Sequence, residues 1–347
     1  MYSLTYPLNT AQQDIYVDQL IDPNSPQYNI GGFIRLKGQF DKIKFIEAVN
    51  SAATAFDAFK MRFEDVTGNP VCKVDQNFQI LEVDELDFTN FNNPMHAASN
   101  WMQEQFNISF QITTEQLLFE HYLIKLAEND YLFYGKYHHL VTDGYGFIVF
   151  VQYIARKYRA LLNGETEDIN YPSYLSELER NSGYVQSTEY ETDRRYWKDK
   201  IKEKPSKVLQ GRKHGTDFNG KLSSTYLYEV SSSQREQLEK LQTTTQTGLT
   251  PITLAALLVY FGQTTNFQDF VFGVPVHKRV SRRLRNIVGM FSGILPFKGR
   301  YEPGTKVSEL INEVNAAQKR DYRHQQFPIG DMNRELKINP LDGYLHD

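Results

Sequence analysis

The sequence predicts an α/β protein, and three observations carry that reading. Runs with strand-like alternation and runs with helical periodicity follow one another along most of the 347 residues, the pattern of α/β domains. The chain is too long for one ordinary core and fits two domains of about 170 residues. The alternation also recurs in the second half without any repeat of sequence, so any similarity between the halves would be of fold alone.

Taken in order, Asn9 caps a short helix through Asp18, which the turn-rich Asp22-Pro23-Asn24-Ser25-Pro26 ends. A strand with Phe33, Ile34 and Leu36 runs to the Gly38 turn. Asp41 caps a helix whose apolar face is Ile43, Phe45, Ile46, Val49 and Ala53. Met61–Glu64 and Pro70–Val74 read as a hairpin around Thr67-Gly68-Asn69. A helix near Met95–Gln105 and a strand near Leu117–Lys125 precede the apolar run Tyr131–Tyr134, then a loop and a helix over Phe147–Leu162. The polar stretch from Gly164 to Pro172 reads as the start of a linker, dividing the chain into residues 1–172 and 173–347. Beyond it the pattern predicts a helix over Ser187–Lys200, a Lys/Gly-rich loop over Lys202–Asn219 and a strand over Ser224–Val230. Helices over Ser233–Gln242 and Thr253–Gly262 follow, then a strand over Phe270–Gly273, a basic loop over Val276–Arg285 and a helix over Val307–Arg323.

Composition narrows the function. Hydrophobic residues at 40% and charged residues at 23% are those of a soluble globular protein. A formal net charge of −4 gives no electrostatic reason to expect nucleic acid or an anionic membrane as partner. No apolar stretch reaches the length of a spanning helix, and residues 1–20 lack a signal-peptide pattern, so a cytoplasmic setting is expected. One cysteine, Cys72, excludes an internal disulfide and a cysteine-based zinc site. The histidines at 96, 121, 214, 324 and 346 show no metal-ligand spacing, so no metal is expected. The 22 Tyr and 23 Phe are read first as core packing, and second as the lining of a tunnel.

The most informative segment is His138-His139-Leu140-Val141-Thr142-Asp143-Gly144, placed between a strand and a helix. An imidazole there can exchange a proton near neutral pH without a large shift of its pKa. On a strand or tight loop neighbouring side chains alternate, so His138 and His139 point apart. Asp143 is open to two readings from its position alone: a carboxylate orienting the imidazole, or a buried structural ion. Gly144 permits close backbone approach or a positive φ, and its amide could serve a developing oxyanion; a plain turn glycine is the alternative. His277–Arg285 carries five formal positive charges in nine residues, either a solvated face or an electropositive docking patch formed by Lys278, Arg279, Arg282 and Arg283.

The His138-His139-x-x-x-Asp143-Gly144 pattern resembles the active-site motif of the condensation domains of nonribosomal peptide synthetases, in the chloramphenicol-acetyltransferase-like superfamily. Five further patches are similar to the family's motifs, in order. They are Thr10–Tyr16, Phe56–Phe63, Tyr196-Trp197, the pair Gly273–Arg279 with Val288–Phe291, and His324–Pro328. The resemblance implies two acetyltransferase-like α/β lobes arranged as a V, with the active site at their junction. It implies that the amine of one carrier-bound aminoacyl thioester attacks a second, donor thioester, forming an amide. His139 would assist that amine as base or by positioning it, and His138 would be structural. Asp143 would pair with a basic residue at the end of the second motif.

Three departures stand out. Lys60 occupies the position of that usual arginine, so the pairing with Asp143 would fall to Lys60 or to Arg62. Gly293 replaces an expected asparagine. The chain stops at Asp347 where the family continues, which reads as a truncated second lobe. No bound cofactor is implied; phosphopantetheine belongs to donor and acceptor peptidyl carrier proteins, with an adenylation domain adjacent. A motif that begins almost at Met1 suits an initiating, starter domain. The rival readings are a related transferase using coenzyme A thioesters or a hydroxyl acceptor, an epimerase-like relative, and a non-catalytic domain that recruits a partner.

Overall fold

The structure is a computed structural model and describes residues 5–75, 78, 83–113, 116–166, 170–203 and 227–338. Its elements run β1 (Thr5–Pro7), α1 (Thr10–Ile21), β2 (Asn29–Lys37), α2 (Lys42–Ala55), β3 (Met61–Val66), β4 (Asn69–Val74), β5 (Asp84–Asp87), α3 (Pro94–Phe106), β6 (Phe119–Ala127), β7 (Asp130–His138) and α4 (Gly144–Asn163). There follow α5 (Leu175–Tyr184), α6 (Thr188–Lys200), α7 (Ser232–Thr245), α8 (Leu249–Thr264), β8 (Asp269–Val276), β9 (Gly293–Arg300), α9 (Val307–Arg323) and α10 (Ile329–Glu335).

Two compact units result, residues 1–186 with 277–292 and residues 187–276 with 293–347. This corrects the division at 172. The residues after Gly164 lead into α5, and its N-cap Tyr174 and its Leu178 are buried in the first unit's core, so the chain has not yet left that unit. The loop after β8 also belongs there, through Leu284, Ile287, Val288 and Met290 of the same core.

In the first unit a four-stranded sheet has the order β2-β7-β6-β5 and a three-stranded sheet the order β1-β4-β3. Strand β7 lies between β2 and β6, antiparallel to both, with Asn29 opposite His138 and Tyr137 opposite Phe119. A central strand is covered on both faces, which explains why the run from Leu132 to His138 is buried without alternation. One face packs on α2 and α4 through Phe45, Phe133, Tyr137 and Phe150. The other packs on α3 through Met102, Leu132 and Tyr134. Helix α1 begins with a capping box in which Asn9 and Gln12 satisfy each other's free amides.

In the second unit, α8 and α9 cover the antiparallel pair β8-β9 with Leu254, Leu258, Phe270, Phe272, Phe297, Leu310 and Val314. Helix α6 and α10 form a second cluster around Trp197, Ile201, Phe327 and Met332. Of the strand expected over 224–230, residues 224–226 lie outside the described residues, and 227–230 form no strand. The loop expected over 202–219 lies outside them beyond residue 203. No helix among the described residues is long and apolar enough to cross a membrane.

Candidate active site

Strand β7 ends where its last residue, His138, turns into the motif loop, and main-chain bonds fix that loop closely. The His138 amide donates to Leu118 O at 2.9 Å, the His139 amide to Tyr28 O at 2.8 Å, and the Val141 amide to His138 O at 3.1 Å. Gln12 of α1 holds the crest, its Nε2 donating to Leu140 O at 2.8 Å. The two imidazoles diverge, as alternation predicts. His138 is buried between Phe110 and Tyr28, with ring centroids 6.3 and 6.1 Å away. Burial, and then the neighbouring His139, push its pKa down to about 3, so the ring is neutral.

His139 is different in kind. Its ring is half-buried, and Nδ1 is shielded from water yet makes no hydrogen bond. Burial lowers its pKa, while the charge of Asp143 and the Thr142 main chain act in the opposite direction. A neutral imidazole has one bare nitrogen and can accept a proton.

Asp143 is fully buried and is the N-cap of α4, its Oδ1 accepting from Gly146 N at 2.7 Å. Its Oδ2 accepts from Arg279 Nη1 at 2.8 Å, Phe291 N at 3.1 Å, Ser292 N at 3.0 Å and Ser292 Oγ at 2.9 Å. Arg279 is itself fully buried, donates from Nη2 to Ile287 O and Gly289 O at 3.1 and 3.2 Å, and lies over the rings of Phe291 and Tyr145. One carboxylate thus joins the motif loop, the start of α4 and the 277–292 loop. A second junction lies beside it, where Asn9 Nδ2 and Tyr174 Oη both donate to Met290 O at 2.8 Å.

The structure brings His138, His139, Asp143 and Gly144 together and corrects several other expectations. Neither Lys60 nor Arg62 is among the partners of Asp143; Arg62 pairs with Asp75 at 3.1 Å, and Arg279 supplies the cation instead. Arg279 therefore cannot belong to an exposed docking patch. Lys278 leaves the patch too, being 7% exposed in a left-handed turn with φ of 49°. Arg283 is half-buried and paired with Glu177, which leaves Arg282 as the exposed member of the four. Gly144 has neither a positive φ nor a close neighbour, since a Cβ there would meet nothing within 4 Å. Gly146 is the glycine that space requires, because a Cβ would come within 2.4 Å of Thr142 Oγ1. Asn9 and Gln12 were readable as a cap but not as supports of the loop. Nothing local marked Arg279 as the cation for Asp143, which lies 136 residues away. Among the described residues no group of three or more His, Cys, Asp or Glu side chains could hold a metal.

Comparison with known proteins gives a consistent picture. The sequence model of the family described as Condensation domain matches residues 2–341. The chain is 25% identical over 336 residues to a dimodular nonribosomal peptide synthase of Bacillus subtilis (strain 168), covering 96% of this chain and 14% of that protein. It is 26% identical over 346 residues to tyrocidine synthase 3 of Brevibacillus parabrevis, covering 97% of this chain and 5% of that protein. The chain therefore spans a small part of these relatives' length. Among solved structures, a variant of the starter condensation domain of rhizomide synthetase RzmA, in complex with C8-CoA and Leu-SNAC, aligns with a TM-score of 0.83 at 26% identity. That alignment covers 96% of this chain and 75% of that one. The first condensation domain of the calcium-dependent antibiotic synthetase aligns with a TM-score of 0.84 at 23% identity, covering 96% of this chain and 78% of that one, a likeness of fold. The α/β fold is that of these domains.

Proposed function

Because the chain belongs to the condensation-domain family, whose members catalyse amide bond formation, we propose that it joins two carrier-bound thioesters. The donor is an acyl or aminoacyl thioester, and the acceptor is the amine of an aminoacyl thioester. Both ride on phosphopantetheine arms that belong to peptidyl carrier proteins, in the company of an adenylation domain. The observation that carries this reading is the half-buried His139 ring on a loop that main-chain bonds to Leu118 and Tyr28 hold in place.

An amine protonated at neutral pH must lose its proton before it attacks. His139 takes or shares that proton as the nitrogen–carbon bond forms and the carbon–sulfur bond breaks, and the thiolate leaves with a proton. Gly144, the first residue of α4, presents its amide at the positive end of a 20-residue helix, where negative charge on the thioester oxygen is favoured. His138 and Asp143 hold the loop. Arg282 remains available to an acidic carrier surface.

His139→Ala should lower the rate of amide formation on the order of 10²–10⁴-fold with pantetheine-loaded carriers. Undiminished product formation would remove His139 from the chemistry, and product no greater than without the chain would favour a recruitment domain over a catalyst. The structural relative bound to C8-CoA favours a second reading, a starter domain accepting a soluble coenzyme A thioester. Turnover with an acyl coenzyme A, compared with the same acyl group on a carrier protein, separates the two.

A further inference from the structure

Gln19 lies in the last turn of α1, 1% exposed, and every polar atom of its side chain is engaged. Nε2 donates to the carbonyl oxygens of Asp22 at 2.9 Å and Ser25 at 3.1 Å, which uses both of its hydrogens. Oε1, which can only accept, therefore faces His138 Nε2 at 3.1 Å. Across the same ring, Nδ1 lies 3.2 Å from the Leu140 N–H and accepts from it. A ring nitrogen that accepts carries no hydrogen of its own, so the proton of neutral His138 resides on Nε2 and is donated to Gln19. Two contacts from distant parts of the chain select the same tautomer.

The second half of this arrangement concerns His139. Gln19 pins the 22–25 turn, three residues before Tyr28, whose carbonyl accepts the His139 N–H at 2.8 Å. The ring of His138, seated on Gln19, caps the Leu140 amide on the other side of His139. The backbone that aims His139 is thus held on both flanks by contacts that begin at one side chain. We propose that Gln19 is a positioning residue for the reaction: by accepting the Nε2–H of His138 it fixes that ring's tautomer and, through it, the direction of His139. The inference rests on the reading of His139 as the acting imidazole.

Two measurements on the full chain test it. Ring ¹⁵N shifts of His138 at neutral pH should show a protonated Nε2 and a bare Nδ1; the opposite tautomer overturns the proposal, and no variant needs to fold for this. In steady-state amide formation, Gln19→Leu should lower kcat on the order of 10²-fold, the effect of misplacing a reacting group by about an ångström, with KM within about twofold. His138→Asn keeps an acceptor for the Leu140 amide but does not reach Gln19. In that background Gln19→Leu should cost much less than it does alone, only the share carried by the 22–25 turn remaining. A full additional loss would mean that Gln19 acts only by anchoring the 22–25 turn, and would overturn the assignment. Should His139→Ala retain full activity, the reading of His139 falls by itself, while the tautomer still decides the contact at Gln19.

Discussion

Asp143 places a carboxylate where water does not reach, so protein donors must replace its hydration shell. Five do so, and the only charged one is Arg279. Deleting one member of such a pair strands the other, which is worse than deleting both. Asp143→Ala is therefore expected to destabilise the chain by about 3–5 kcal/mol. The double variant Asp143→Ala with Arg279→Met should lose less than the sum of the two single losses. Urea denaturation of the four proteins checks this, and strict additivity would show that the two charges do not depend on each other. The same pair explains a limit of sequence reading. A motif aspartate can be seen to need a cation, but Lys60, Arg62 and Arg279 are equally cationic on paper. Only the fold, which carries the 277–292 loop to the start of α4, chooses among them.

The start of α4 shows how an element boundary and a functional position coincide. Sequence periodicity predicts a helix from Phe147, because two glycines just before it are poor helix formers. The helix begins at Gly144 all the same, since Asp143 caps it and supplies the acceptor its first turn lacks. The two glycines then differ sharply. A methyl group at Gly144 has open space, whereas one at Gly146 meets Thr142 Oγ1 at 2.4 Å, the Gly289 amide at 3.3 Å and Asp143 Oδ1 at 3.4 Å. Gly144→Ala should therefore fold at least as well as the unchanged chain, gaining up to about 1 kcal/mol from helix propensity. Gly146→Ala earns the same propensity but crowds a packed corner, at a cost of about 1–3 kcal/mol. Thermal unfolding of both variants checks the contrast, and equal midpoints would contradict it. Elsewhere, α9 matches its sequence-predicted bounds because its apolar stripe of Leu310, Ile311 and Val314 is unbroken. Residues 227–230, with Leu227, Tyr228 and Val230 strand-like on paper, are exposed and pair with no strand among the described residues; β-propensity depends on its surroundings.

At the scale of the molecule, the α/β alternation and the motif loop were legible because both are written in short-range pattern. The division into units was not, because it depends on which core a segment joins. Tyr174 and Leu178 look like any amphipathic stretch until they are seen in the first unit's core, Tyr174 edge-on to Phe291 and bonded to Met290 O. Burial of polar groups was equally hidden. His121 and His138 sit on opposite faces of the same sheet, His121 bonded to Tyr137 Oη at 2.9 Å, and burial pushes both pKa values down to about 3. In the unfolded chain each would titrate near 6.5. Above that pH both states are neutral, and nothing is lost. As the pH falls below it, the unfolded chain takes up protons that the folded chain refuses, so stability declines until the pH nears 3. Each histidine contributes a slope of about 1.4 kcal/mol per pH unit in that window. Carboxylates whose pKa is lowered in the fold, such as Asp87 and Asp130, lose their contribution only at more acidic pH, below the ordinary carboxylate range. The interval from pH 6 to pH 4.5 therefore reports mainly on the histidines. Urea midpoints across it should fall steeply, His139 adding to the other two, and His121→Phe should remove its own share of about 1.4 kcal/mol per pH unit whatever it does to stability at pH 7. A midpoint that stays flat down to pH 4.5 would mean that these rings are reached by water in the folded chain, and would remove the basis for a neutral, fixed His138 beneath the acting imidazole.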